Sequence, residues 1–218
     1  TKRTTPLEAN HVDETLLRAV HIATSEVPGP EHNGLPSDLG TKRANEETFQ
    51  PDPAQLPGLP EAELLDRLCS NFEAAKKPLL VVGLTTVRSD VQPLVLKIVE
   101  QQGIPVVLTP MAKGIVPEDH PSYVGVLFHA LSDQVAKTHC QADLIIGVGY
   151  DPVELNYEEW LPDAPLIHID TKPADLDKER FNLECDIVGG LQPALERLAE
   201  LPPQDNDWDF NGLAERRD

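Results

Sequence analysis

Two runs in the middle of the chain, Leu144-Ile145-Ile146-Gly147-Val148 and Leu166-Ile167-His168-Ile169, are apolar at nearly every successive position. A strand with one wet face alternates polar and apolar residues. One that is apolar throughout needs cover on both sides, the condition met in a parallel sheet flanked by helices. The first run closes on Gly149 and the second on Asp170. Ligands of open α/β sheets bind outside the carboxyl ends of the strands. Gly149 and Asp170 are therefore candidates for a crevice; the competing reading is a turn glycine and a loop-capping aspartate.

The same pattern recurs on either side. Pro60-Glu61-Ala62-Glu63 opens a helix with acids in its first turn and an apolar stripe of Leu64, Leu65, Leu68 and Phe72. Leu79–Gly83 reads as a strand. Ser89-Asp90 reads as the cap of a helix carrying Leu94, Val95, Ile98 and Val99, with Pro93 in its first turn and its end near Gly103. Ile104–Thr109 is a second strand, Tyr123–Leu127 a third, and Ser132-Asp133 starts a helix that ends near Cys140. After the two central runs, Asp186–Gly189 is a short sixth strand, followed by a helix with Leu191, Leu195, Leu198 and Leu201. Strand-helix alternation at this spacing predicts an α/β fold: a doubly wound, six-stranded parallel sheet, Rossmann-like, over residues 61–201.

The flanks differ. Residues 1–10 read as a loose polar lead-in, followed by a helix with Leu16, Leu17, Val20 and Ile22 on one face and a strand-like segment at Glu31–Leu35. One helix and one strand bury little, so residues 1–40 look like the end of a preceding domain. Residues 41–60 form a proline-rich linker, and residues 202–218 return to linker composition. A chain that starts at Thr1 and stops in a polar tail reads as part of something longer.

Composition narrows the partners. With 37 acidic against 18 basic residues the formal charge is −19, which argues against nucleic acid and anionic membranes, since both need a basic face. No apolar run approaches the ~20 residues of a membrane span. Cys69, Cys140 and Cys185 are odd in number and widely spaced, suggesting neither a disulfide frame nor a zinc knuckle, and a reducing cytoplasm is the default compartment.

Several chemistries lack their motifs. The dinucleotide fingerprint needs three glycines after the first strand, whereas that turn reads V-V-G-L-T-T-V-R-S, with Gly83 alone. This disfavours an independent Rossmann-type oxidoreductase. A phosphate-loop lysine motif and a G-x-S-x-G elbow are also missing. His120, His129, His139 and His168 have no metal-ligand spacing, and His168 within a strand reads as a core histidine. Asp151, Glu154, Glu158, Glu159 and Asp163 crowd one loop, either as a metal or substrate site or as a solvated acidic face.

Six segments in order carry a family resemblance. P-L-L-V-V-G at Pro78–Gly83 and G-I-P-V-V-L at Gly103–Leu108 are followed by M-A-K-G-I-V-P-E-D-H-P-S-Y-V-G. A-D-L-I-I-G-V-G comes next, then I-H-I-D and D-I-V-G. Residues 61–201 thereby resemble the central domain of thiamine-diphosphate-dependent enzymes of the acetolactate synthase, oxalyl-CoA decarboxylase and benzoylformate decarboxylase group. G-P-E-H-N-G-L-P-S-D-L resembles the end of that family's pyrimidine-binding domain. G-Y-D-P-V-E is closest to the flavin-independent acetolactate synthase type.

The resemblance implies a parent enzyme that uses thiamine diphosphate and Mg2+ to make or break a carbon–carbon bond beside a carbonyl. In the family a glutamate of the pyrimidine-binding domain and a Gly-Asp-Gly motif of a diphosphate-binding domain hold that cofactor. This chain has no Gly-Asp-Gly, so no catalytic residue and no metal ligand is assigned and no turnover is expected from it alone. Some relatives hold FAD or ADP in the middle domain, at positions matching Gly83, Leu84, Thr85, Gly149, Tyr150, Asp151, Asp170 and Thr171. The glycine cluster there is reduced to Gly83, Tyr150-Asp151-Pro152 replaces an arginine-bearing segment, and Phe128-His129-Ala130 replaces a glycine-flanked histidine. These departures favour a spacer without ligand; the alternative is a nucleotide- or CoA-binding module. The expected partners are the pyrimidine-binding and diphosphate-binding domains, within a homo-oligomer.

Overall fold

A computed structural model of the chain describes residues 1–43, 50, 56–127, 133–150, 163–176 and 182–217. These residues form two compact units, Thr1–Pro57 and Gly58–Asp218.

The larger unit is built on a six-stranded sheet, all parallel. Its strands are β3 (Pro78–Val82), β4 (Val106–Leu108), β5 (Tyr123–Val126), β6 (Leu144–Val148), β7 (Leu166–Asp170) and β8 (Leu183–Val188). They lie in the order β5-β4-β3-β6-β7-β8. The chain thus winds outward from β3 one way and from β6 the other, the arrangement of a doubly wound fold with its switch point between those two strands. Every residue of β3, β6 and β7 is buried, which is why these runs carry no polar alternation.

The two faces bury separate cores. Leu80, Val82, Ile146, Val148, Ile167 and Ile169 face one layer, with Leu68 and Phe72 of α2 (Ala62–Ala74). Val95, Ile98 and Val99 of α4 (Gln92–Gln102) join it, with Leu191, Leu195 and Leu198 of α6 (Leu191–Glu200). Leu79, Val81, Val107, Ile145 and Leu166 face the other, with Val135 of α5 (Asp133–His139).

The second face is completed from the tail. Trp208 and Leu213 are buried there, the latter on α7 (Phe210–Arg217). Trp208 Nε1 donates to the Pro78 carbonyl at 2.8 Å, and Lys77 Nζ lies 5.7 Å from the indole centroid. Asn206 Nδ2 donates to the Gly103 carbonyl at 2.9 Å. Residues 202–213 are therefore packed domain rather than linker: among polar neighbours, one tryptophan and one leucine bury enough apolar surface to hold the segment. Gly58 also belongs to this unit, since its carbonyl accepts the Gly190 N–H at 2.8 Å.

Ser89-Asp90 does not cap α4. A short helix, α3 (Leu84–Arg88), follows β3, Ser89 N–H closes it on the Thr85 carbonyl, and Asp90 takes φ 53°. Val91, 4% exposed, stands at the N-terminus of α4 instead. Burial of that valine outweighs a side-chain cap worth about 1 kcal/mol. Gly103, in the left-handed region at φ 57°, ends α4 as expected.

The smaller unit corrects the reading of residues 1–10. Arg3–Pro6 is a strand, β1, paired in parallel with β2 (Glu31–Gly34), and α1 (Val12–Thr24) connects them. The ladder is held by backbone bonds, which polar side chains do not prevent: Lys2 N–H and Leu7 N–H extend it onto the Pro30 and Gly34 carbonyls, each at 2.8 Å. Lys2 Nζ also caps α1, donating to the Ile22 and Ser25 carbonyls at 2.7 and 2.8 Å, where a cation opposes the helix dipole. The expected apolar face of α1 is turned outward: Leu16, Leu17 and Val20 are 42%, 38% and 60% exposed, and only Ala19 is buried.

Candidate functional site

The predicted site residues Gly83, Leu84, Thr85, Gly149, Tyr150, Asp170 and Thr171 all lie at the carboxyl ends of β3, β6 and β7, beside the switch point. Asp151 lies outside the described residues, as do Phe128-His129-Ala130 and Glu154, Glu158 and Glu159. Asp163 is described and exposed.

β3 and β6 end on glycines that touch. A Cβ built on Gly83 would lie 2.1 Å from the Gly149 carbonyl oxygen and 2.6 Å from the Tyr150 Cα. One on Gly149 would lie 2.5 Å from the Thr86 nitrogen, and Gly149 adopts φ 57°. Both positions therefore exclude a side chain, the first by contact and the second by contact and conformation.

That approach engages four amides at the strand ends with the chain itself. Gly83 N–H donates to the Val148 carbonyl at 2.9 Å, Thr85 N–H to Gly149 at 3.2 Å and Thr86 N–H to Gly83 at 3.2 Å. Gly149 N–H donates to Ile169 at 2.8 Å. Thr86, fully buried, adds its hydroxyl to the Val148 carbonyl at 2.9 Å.

Asp170 closes the third side. Its Oδ2 accepts from the Thr85 hydroxyl at 3.2 Å, and its Oδ1 accepts from Thr171 N–H at 2.6 Å and the Thr171 hydroxyl at 3.2 Å. A buried carboxylate, 8% exposed, thus stands beside the first turn after β3. A phosphate brought there would meet a like charge.

His168 is a tie within the fold. At 2% exposure, its Nδ1 lies 2.8 Å from an Asp186 carboxylate oxygen and its Nε2 lies 3.1 Å from the Tyr150 carbonyl oxygen. Asp186 also accepts from Ala174 N–H at 3.1 Å. The ring links β7, β8 and the exit of β6. Sequence reading missed Thr86 and Asp186; the only available signal for Thr86 was a pair of short hydroxyl side chains directly after the strand glycine.

Other reactive groups are subdued. Burial pushes the His139 imidazole down to about 4 and raises the Cys140 thiol. Burial also raises the Cys185 thiol, against the lowering effect of Arg67. Among the described residues, no group of three or more His, Cys, Asp or Glu is placed to hold a metal ion.

With this geometry in view, comparison with known proteins places the chain. Residues 65–198 match the family described as "Thiamine pyrophosphate enzyme, central domain". The chain belongs to this family. It is 32% identical over 200 residues to the acetolactate synthase large subunit of Corynebacterium glutamicum, across 88% of this chain and 31% of that protein. Among solved structures, a thiamine diphosphate-dependent 4-hydroxybenzoylformate decarboxylase of Rhodococcus jostii superposes with a TM-score of 0.72 at 26% identity. That match covers 94% of this chain and 40% of the other. Benzoylformate decarboxylase of Polynucleobacter necessarius shares the fold, with a TM-score of 0.73 at 22% identity, over 96% of this chain and 40% of the other. The chain spans about a third of the length of the curated relatives it matches.

The family is named for thiamine pyrophosphate. The sequence has no Gly-Asp-Gly, and no described cluster suits the metal that would accompany the diphosphate. At the switch-point crevice the described strand ends of β3 and β6 pack on one another, with Asp170 bonded to Thr85 and Thr171.

Proposed function

We propose that this chain is the ligand-free central spacer of a thiamine-diphosphate-dependent carboligase or decarboxylase of acetolactate synthase type. Residues 1–40 are the end of its pyrimidine-binding domain, residues 41–57 the tether, and a diphosphate-binding domain completes the enzyme. Mg2+, the thiamine cofactor and the homo-oligomer belong to that complete protein, whose compartment is the cytoplasm. The observation that carries the spacer reading is the contact of Gly83 with the Gly149 carbonyl, which turns a crevice into a packed seam. The spacer's work is mechanical: a sheet buried on both faces holds its neighbours at a set separation.

The test is turnover. This chain alone is expected to consume no pyruvate with or without thiamine diphosphate and Mg2+. A protein that joins it to both flanking domains is expected to consume pyruvate only with the cofactor. Turnover by the 218-residue chain itself, or cofactor-independent turnover by the joined protein, overturns the reading.

A further inference from the structure

Residues 58–60 lead into α2 and lie against the exit of β8. The Gly58 carbonyl accepts the Gly190 N–H at 2.8 Å. Gly190 is the N-cap of α6, and no side chain caps that helix. In a capping box a nearby glutamate or glutamine side chain returns to the N-cap N–H. Here a backbone carbonyl from far along the sequence does so.

The seat for this strap is a glycine. Gly189 has φ 152°, and a Cβ built on it would lie 2.7 Å from the Gly58 carbonyl oxygen and 2.9 Å from the Pro60 nitrogen. The Gly189 N–H donates to the Asp170 carbonyl at 2.9 Å, so the seat is part of the sheet. Side chains do little to hold the strap itself. Leu59 is 86% exposed, Pro60 is half-buried, and a Cβ built on Gly58 would meet nothing within 4 Å. The helix behind it is anchored separately: Leu64 and Leu65 N–H close α2 on the Glu61 carbonyl at 3.1 and 3.2 Å, and Leu68 and Phe72 are buried in the core. A segment with so few buried apolar contacts opens at lower free energy than the core it lies on.

We propose that residues 58–60 are a latch, which opens while the sheet and α2 stay folded. Opening breaks the Gly58–Gly190 bond and adds these residues to the tether, roughly 10 Å of extended chain. The latch thus sets how much chain the tether has to use. It goes beyond the spacer reading and holds whether or not the domain takes a nucleotide.

Amide hydrogen exchange of the 218-residue chain, followed by NMR at rising sub-denaturing urea, tests this. The Gly190 amide is expected to exchange about tenfold or more slower than a free amide, and about tenfold or more faster than those of Ile146 and Ile167. Its exchange should also depend less on urea, since local opening exposes little surface. Gly58→Ala keeps the carbonyl and enters open space, so Gly190 exchange should stay within about twofold. Gly189→Ala fills the seat and should speed that exchange about tenfold or more, with Ile146 and Ile167 unchanged. Should Gly189→Ala disturb β8, the rate and urea dependence in the unaltered chain decide. A Gly190 amide that matches Ile146 and Ile167 in both, or one that is unprotected, would overturn the latch.

Discussion

At Gly83 the backbone is extended, with φ −118°, so the residue is glycine for lack of space and not for conformation. Gly83→Ala places a methyl 2.1 Å from the Gly149 oxygen, and the obstacle is backbone that cannot swing aside. The expected loss is about 3 kcal/mol in urea unfolding, the upper part of the usual overpacking range. Gly114 is the contrast: it has φ 97° but nothing within 4 Å of a built Cβ. Gly114→Ala is expected to cost about 1 kcal/mol. Equal losses at the two positions would mean that the seam is looser than described. His139 gives a residue-scale pH test. Its folded value of about 4 lies below the ordinary 6.5, so the unfolded chain binds the extra proton in that interval. The contribution is complete above pH 6.5 and is lost as pH falls toward 4, with a slope of about 1.4 kcal/mol per pH unit. His139→Gln is expected to flatten stability between pH 6.5 and 5, where few carboxylates titrate; an unchanged slope contradicts the assignment.

At the scale of elements, the strands were easier to read than the pieces that seal them. β3, β6 and β7 are apolar runs with no competing interpretation, and the glycines and Asp170 that end them mark the carboxyl edge. α3 was invisible because five residues show no helical period, and its stability comes from Thr85 and Thr86 bonding to the β6 exit. α7 was hidden by the polar composition around Trp208. The periodicity of α1 was legible but its orientation was not, since period specifies a stripe and not what the stripe meets. These contacts set two expectations. Trp208→Phe keeps most of the bulk and loses the bond to Pro78, for about 1 kcal/mol, whereas Trp208→Ala removes the anchor at about 3 kcal/mol or more. His168→Leu withdraws a partner from both Asp186 and Tyr150, for about 2 kcal/mol by thermal or urea unfolding. A neutral His168→Leu would show that the β6, β7 and β8 ends are held without the ring.

For the molecule as a whole, the larger unit has the sheet order of a dinucleotide-binding fold and, at its switch point, a seam in place of a cradle. The sequence signal for that difference was the single glycine after β3. Its consequence needed coordinates, because only they show the amides of Gly83, Thr85, Thr86 and Gly149 engaged with the chain itself. The central proposal is that this family member's middle domain binds no nucleotide. Calorimetric titration of the purified chain with FAD, and separately with ADP, measures it most directly. The account predicts no saturable heat up to millimolar ligand and a colourless protein; a stoichiometric isotherm with micromolar affinity for either ligand would contradict it.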